Sequence, residues 1–545
     1  MFANFNLTKI HPMRILLLFL LCTFQLNSQV VDRYNYVQRP TETSVTIAWR
    51  TVSTSIGTIN WGLTAGNLNN TLSESSSTSK HYFDISGLNP NTLYYYQTST
   101  DQGYTSNVDH FYTAKTDTSM KFSFLHYGDC GYNNGIQGEI GQLMEADSAE
   151  FAVVAGDVDQ NVGDNYDEVF FGVYEDMLKQ ACHYTAIGNH DTYADNAATY
   201  LEDFYLPSNN PQSSERYYSF LWGNAKFICM DSNIPYTTGS DQYNWLVNEL
   251  TCNHSQWLFV FFHHPPWTNA WSADYYLPFS PYFLYQGSVD MRTELVPLFE
   301  DYNVDFVLNG HSHCYQRGEM NGVKYIISGG AGSASIDFNT NSNAPNIDTE
   351  IYTNQYVRFN VDGDTVRYVS IDNYGVTIDS VTTIKPNVVQ PAPVVTYLGG
   401  ELWSTQGETY MWFLDGVQIL GVTTQSFVPT QLGMYHVEIT TTSGCTISSE
   451  PFVLDNLKVD SIEEVEFKVY PNPSNGKITI ASNSALSNGT KIQITNAMGK
   501  VVFKDVIDGN DSDPYTVDLS AAPKGMYFLN ARSNAKIFTK LIVLQ

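Results

Sequence analysis

Five short polar motifs, each ending or directly following an apolar strand-like run, constrain this chain more than any other feature of its 545 residues. They are Gly128-Asp129-Cys130-Gly131, Gly156-Asp157, Gly188-Asn189-His190-Asp191, Val260-Phe261-Phe262-His263 and Gly310-His311-Ser312-His313. Strands are expected at Phe122–Tyr127, Phe151–Ala155, Trp257–Phe262 and Val304–Leu308. Between them, Ile136, Ile140, Leu143 and Met144 fall on one helical face, and helices are expected around Trp245–Leu250 and Leu295–Phe299. Alternating strands and helices read as α/β with stacked sheets. In such sheets the loops at the carboxyl ends of the strands gather at one crevice, so five tips far apart in sequence can meet at one point.

The residues at those tips are carboxylates, an amide and imidazoles, which suit hard-to-borderline cations such as Mn, Fe or Zn. Glycines beside them let the backbone turn sharply under an ion. His311 and His313 alternate, so an extended segment would aim both imidazoles to one side. Each motif alone has a bland reading. Gly-Asp is commonly a turn, Gly-Asn-His-Asp can cap a helix, and a His before Pro, as at His264-Pro265, is commonly just packed in a loop. His126 and His183 read as core histidines. Only the set in order points to a metal site.

The chain as a whole holds 37 Tyr and 30 Phe, and outside this region it is rich in β-type patterning. In residues 31–116, Thr43–Trp49 and Thr58–Trp61 alternate, and Gly87-Leu88-Asn89-Pro90-Asn91-Thr92-Leu93-Tyr94 supplies a turn and then a strand. This segment resembles a fibronectin type III domain, with Trp49 as its core Trp. A Pro-rich linker, Lys385–Pro393, ends the α/β region, taken as 117–385. Residues 394–455 resemble an immunoglobulin-like module, with Trp412 in the core and Gly433-Met434-Tyr435 as a tyrosine corner. Val437 stands where that module's second Cys would be, and Cys445 has no partner within it. The other large aromatics read as sandwich packing rather than sugar-binding surface.

Residues 460–545 form a further β-unit. Val469-Tyr470-Pro471-Asn472-Pro473-Ser474-Asn475-Gly476, Ile492–Lys500, Val517–Ser520, Lys524–Leu529 and Lys540–Val543 resemble, in order, the C-terminal sorting domain of type IX secretion. That resemblance implies the type IX machinery as partner. At the other end, Lys9, His11 and Arg14 precede the apolar run Ile15–Leu21, with Asn27-Ser28 after it. Residues 1–28 thus read as a signal peptide, cut near Ser28 and too short to remain as a membrane anchor. A lipoprotein reading through Cys22 is weaker because Leu21 is bulky where a small residue is expected. No other stretch is long and apolar enough for a membrane helix. An exported chain permits disulfides, but Cys130, Cys182, Cys229, Cys252, Cys314 and Cys445 show no framework spacing, so bridges and buried thiols both stay open. A formal charge of −29 repels nucleic-acid phosphates, so no nucleic-acid binding is expected.

The order and spacing of the five tips resemble the calcineurin-like metallophosphoesterases, and among them the purple acid phosphatases. The first motif is Gly-Asp-x-Gly, the fourth is Val-x-x-His, and the last continues as His313-Cys314-Tyr315-Gln316-Arg317. The resemblance spans roughly residues 31–385. It implies a four-layer α/β sandwich, two sheets flanked by helices, carrying two divalent or trivalent ions (Fe, Mn or Zn). Asp129 and His313 would hold the first, Asp157 would bridge, and Asn189, His263 and His311 would hold the second. His190 would contact the phosphate or protonate the leaving oxygen. The implied reaction is hydrolysis of phosphomonoesters outside the cell or on its surface, by metal-activated hydroxide attack. That family's second motif is Gly-Asp-x-x-Tyr, whose Tyr binds ferric iron and gives the purple colour. Gln160 stands there in this chain, so a colourless protein is expected; Tyr166 is near, but its spacing is wrong. A phosphodiesterase or nucleotidase on the same centre is the first alternative, and a non-catalytic surface binder is the second.

Overall fold

The computed structural model describes residues 30–116, 121–271, 287–339, 344–385, 393–441, 445–456, 467–482, 490–496, 500–507, 515–533 and 536–545. The stretch read as a signal peptide, residues 386–392 of the linker and residues 497–499 of the last β-unit lie outside them. Among the described residues no helix is long and apolar enough to cross a membrane.

The chain divides into two units, the first ending at Pro391 and the second beginning at Ala392, except that Cys445 groups with the first. The first unit opens with two antiparallel sheets. Val31–Gln38, Ser44–Ser55 and Thr78–Ser86 form one; Asn70–Ser73, Gly57–Gly62, Leu93–Thr100 and Asp109–Tyr112 form the other. Trp49 is buried between them, stacked on His81 at 4.7 Å. The Tyr94 hydroxyl accepts the Asn89 N–H at 2.9 Å and pins the turn before its own strand.

The α/β part is built from two facing sheets. The first runs Cys182–Thr185, Phe151–Val154, Lys121–Tyr127, Gln355–Asp362, Thr365–Asp372, Thr377–Ile384. Its first three strands are parallel and the rest antiparallel. The second runs Tyr218–Trp222, Ala225–Cys229, Trp257–Phe261, Phe306–Asn309, Val323–Ser328, Tyr315–Met320, Thr349–Ile351, with its four middle strands parallel. The parallel strands Phe151–Val154 and Trp257–Phe261 are apolar and buried at every position, as expected where both faces are covered. Between the sheets lies a phenylalanine stack. Phe124 lies on Phe359 at 4.6 Å and edge-on to Phe227 at 5.1 Å; Phe227 lies on Phe259 at 4.7 Å and Phe259 on Phe306 at 4.9 Å. These offset and edge contacts fix the two sheets relative to one another.

The helix expected from Ile136, Ile140, Leu143 and Met144 is Gly135–Asp147, capped by the Asn134 side chain, which accepts the Gln137 N–H at 2.9 Å. The helix expected around Trp245 is Asp241–Thr251. Around Leu295 the structure has two short helices, Val289–Glu294 and Val296–Asp301, the second with Pro297 in its first turn, where no N–H is needed. Four cysteines, Cys130, Cys182, Cys229 and Cys314, are buried thiols, while Cys252 and Cys445 form a disulfide.

The described residues of the second unit form two pairs of β-sheets. In the first pair Trp412 is fully buried, donating its indole N–H to Thr424 O at 2.9 Å, and the Tyr435 hydroxyl donates to Gln431 O at 2.7 Å. The second pair, within Phe467–Leu544, encloses a core of Ile478, Ile480, Ile492, Ile494, Leu529 and Ile542.

Candidate metal centre

All five tips emerge at the carboxyl ends of parallel strands. Asp129 follows Tyr127, Asp157 follows Val154, Asn189 and His190 follow Thr185, His263 follows Phe261, and His311 with His313 follows Asn309. Local backbone geometry turns the donors inward. Asp129, Asp157 and His311 have φ of 55°, 50° and 69°, the left-handed region that non-glycine residues rarely adopt. Glycines make room beside them. A Cβ on Gly188 would lie 2.0 Å from Asp157 Oδ1, and one on Gly310 would lie 2.5 Å from Asp129 Oδ2. Only glycine lets those backbones come so close to the carboxylates.

The six expected donors form one connected cluster. His263 Nε2 is 3.1 Å from Asn189 Oδ1, 3.1 Å from His311 Nδ1 and 3.2 Å from Asp157 Oδ2. His313 Nε2 is 3.5 Å from Asp129 Oδ1. Backbone N–H groups hold the carboxylates from behind: His190 N–H donates to Asp157 Oδ1 at 2.9 Å and His311 N–H to Asp129 Oδ2 at 2.7 Å. His190, a half-buried side chain, donates from Nδ1 to Asn161 O at 3.1 Å, which leaves Nε2 for solvent or a ligand.

Four atoms rich in lone pairs thus face one another. His263 Nδ1 is 2.8 Å from Ala155 O and must donate to it, so in the neutral ring Nε2 carries no proton. The Asn189 amide N–H donates to the Tyr193 hydroxyl at 2.8 Å, which turns Oδ1 toward His263. Two donors ~2.1 Å from one ion lie about 3.0–3.4 Å apart when they subtend 90–110° at it. The distances around His263 Nε2 match that spacing, so these residues fit a bound cation. The electrostatics agree. Burial alone would lower the His263 pKa, but the Asp157 carboxylate outweighs it and pushes it up to about 9, so a proton stands in for the positive charge the cluster demands. Burial would raise the Asp157 pKa, and the same imidazole lowers it instead. His311 is lowered well below its ordinary value by burial and then by His264, His263, His313 and His190. Asp129, Asp157 and His263 form one group able to hold an ion.

Gln160 lies between the two carboxylates. Its amide N–H groups reach Asp129 Oδ1 at 3.3 Å and Asp157 Oδ2 at 3.5 Å. Tyr166 is not a donor in the cluster: its hydroxyl points to Asp191 Oδ1 at 3.2 Å. Asp191 is fully buried and accepts N–H groups from Gly188 at 2.8 Å, Asp159 at 3.1 Å and Val158 at 3.3 Å. It therefore ties the Asp157 loop to the Asn189 loop. Burial, then the Asp157 charge, push its pKa up to about 7.

Sequence reasoning missed this brace, because two of its three partners, the Val158 and Asp159 N–H groups, are more than 30 positions away. It also set aside His264, whose ring stands 4.9 Å from that of His263 and 4.5 Å from that of His311. The available signal was the doubled histidine, His263-His264, at the end of an apolar strand. His126 and His183 are buried in the core, as expected.

Parts of this chain are similar to known proteins. A family profile described as "Calcineurin-like phosphoesterase" matches residues 122–315, and one described as "Secretion system C-terminal sorting domain" matches residues 468–545. Purple acid phosphatase 15 of Arabidopsis thaliana is 25% identical over 296 residues, covering 46% of this chain and 53% of its own. Purple acid phosphatase 13 of the same plant is 34% identical over 151 residues, covering 26% of each chain. Purple acid phosphatase 23 of that plant is 25% identical over 307 residues, covering 50% of this chain and 64% of its own. The chain therefore spans less than two thirds of the length of each of these relatives. Among solved structures, a purple acid phosphatase from yellow lupin (Lupinus luteus) seeds superposes with a TM-score of 0.55 at 17% identity, covering 65% of this chain and 74% of its own. The fold of the α/β part of the first unit is that of a metallophosphoesterase, with further all-β sheets on either side in the sequence.

Proposed function

We propose that this chain, which carries a calcineurin-like phosphoesterase domain and a secretion sorting domain, is an exported dinuclear-metal phosphatase that hydrolyses phosphomonoesters. The observation that carries the reading is the convergence of Asp157 Oδ2, Asn189 Oδ1 and His311 Nδ1 within 3.2 Å of His263 Nε2, beside the Asp129–His313 pair.

In this reading Asp129 and His313 would hold the first ion, Asn189, His263 and His311 would hold the second, and Asp157 would serve both. When bound, the two cations supply charge neutralisation for the phosphate and a lowered pKa for the attacking water. The rest is the work of side chains. The Asp157 carboxylate is held at Oδ1 by the His190 N–H, so its other oxygen, Oδ2, is fixed in place beside His263. His190 exchanges its proton at Nε2: protonated there, it donates to the alcohol oxygen as the P–O bond breaks. Gln160 fills the place of a phenolate. Its amide points N–H groups at two carboxylates, and a 180° turn of that amide would offer Oε1 to the first ion instead. A phenolate-free first site gives a colourless protein, and a strong visible band in the iron-loaded chain would contradict it.

The test is an activity screen of the purified chain with a phosphomonoester and a bis-ester analogue, adding Mn, Fe, Zn and Mg separately. Monoester turnover should dominate, and Asp157→Ala should abolish it. Faster bis-ester cleavage would favour a phosphodiesterase or nucleotidase. Fewer than one ion per chain after reconstitution would favour a surface binder. The sorting domain supports delivery to the cell surface or medium by type IX secretion; removing residues 468–545 should leave the protein inside the producing cell.

A further inference from the structure

His264 is not among the residues assigned above, yet its ring belongs to the same cluster. Ring nitrogens of His263, His264 and His311 lie within 4.8 Å of one another, close to the ~4.2 Å that separates donors on opposite sides of one ion. Consecutive residues of a strand point to opposite faces. Here the strand has already ended at Phe261, and a bend at His263 and His264 turns both rings toward His311. Pro265 restricts His264 to extended backbone and helps keep that bend.

The ring is also oriented. His264 Nδ1 is 2.7 Å from Ser232 Oγ, so Nε2 is the nitrogen left to bind. An imidazole whose second nitrogen is tied to a neighbour is the usual arrangement of a metal-ligating histidine. Ser232 itself sits in a braced turn. Its neighbour Asp231 is fully buried and paired with Arg216 at 2.9 Å, and Asn233 donates to Ile187 O at 3.0 Å and Gly188 O at 3.3 Å. One turn thus positions both the Asn189 loop and the His264 ring.

We infer that His264 is a further ligand of the second cation, offering it a third imidazole beside His263 and His311, with Ser232 as its positioning residue. This rests on the dinuclear reading proposed above. Three imidazoles would make the second site richer in nitrogen than the first, which favours Zn over Mg there.

The test is titration of the metal-free full chain with Zn²⁺ against a chromophoric chelator, for wild type, His264→Ala and Ser232→Ala, with thermal melts of the metal-free proteins as a folding check. Wild type should bind two ions. In His264→Ala the weaker or second step should lose about tenfold or more in affinity while the other step stays unchanged. Ser232→Ala, which keeps the ring and loses its anchor, should lose less at the same step, and it decides the matter should His264→Ala not fold. An unchanged second step in the deciding variant overturns the inference, as does lower turnover with unchanged Zn²⁺ binding, which would make His264 a phosphate contact. Wild type binding fewer than two ions would instead overturn the dinuclear reading itself.

Discussion

At the scale of single residues the centre is strained. Asp129, Asp157 and His311 all hold left-handed backbone, at a cost of order 1–3 kcal/mol each. That cost persists because the neighbouring groups leave no alternative: His190 and His311 N–H groups hold the carboxylates, and glycines stand against them. Gly188→Ala is therefore expected to be severe, since its Cβ would meet Asp157 Oδ1 at 2.0 Å. Metal uptake should fall below one ion per chain and turnover should drop by at least a hundredfold, while far-UV circular dichroism stays native. Intact metal binding in that variant would show that the loop has room to spare. A second prediction concerns pH. Burial lowers His126 to about 4 and His183 to about 3, against about 6.5 in the unfolded chain. Both are neutral in the folded state when the unfolded chain begins to take up protons. Their contribution is complete above pH ~6.5 and is lost as pH falls toward 4, by up to about 3 kcal/mol for His126. Asp191 runs the opposite way, because its folded pKa is raised: its contribution fades as pH rises from ~4 to about 7. The difference between wild type and His126→Gln isolates the histidine, and the variant should lose less melting temperature between pH 7 and pH 4.5. Equal losses would refute the assignment.

At the scale of elements, the opening sandwich and the α/β part are joined by buried charge. Arg33 stands on the first strand, fully buried, and donates to Asp167 Oδ1 at 2.5 Å and Asp203 Oδ2 at 2.8 Å. Arg50, on the second strand, pairs with the same two carboxylates. The Arg33 guanidinium also covers the Phe171 ring at 3.7 Å. Asp167 directly follows Tyr166, whose hydroxyl meets Asp191, so the sandwich braces the segment that carries the loop tie. Arg33→Ala leaves buried Asp203 with one partner fewer and should cost about 3 kcal/mol. The transition of the first unit should shift down without splitting. A split of that transition, or no shift, would show that the sandwich is an independent module. The strand ends were legible because alternation and apolar runs are local properties of the chain. The doubled short helix around Leu295 was not, since Pro297 suits the start of a helix as readily as it breaks one.

At the scale of the whole molecule, the sequence by itself determined the donor types, their order and the strand each one follows. Those depend on composition and on the two-residue period of strands, and both are written locally. It also carried the sorting segment, whose motifs follow one another along the chain. It left open whether any cysteines pair, and the bridge that formed joins Cys252 to Cys445 across 193 positions, while Cys130, Cys182, Cys229 and Cys314 stay reduced in the core. Gln160 was readable as a departure, but its place between two carboxylates was not. The turn of His264 toward His311, the Asp191 tie and the strained backbone of three donors were decided only by the tertiary structure. Each depends on which distant groups are pressed together once two sheets close over a phenylalanine core, and no local pattern in a chain encodes that.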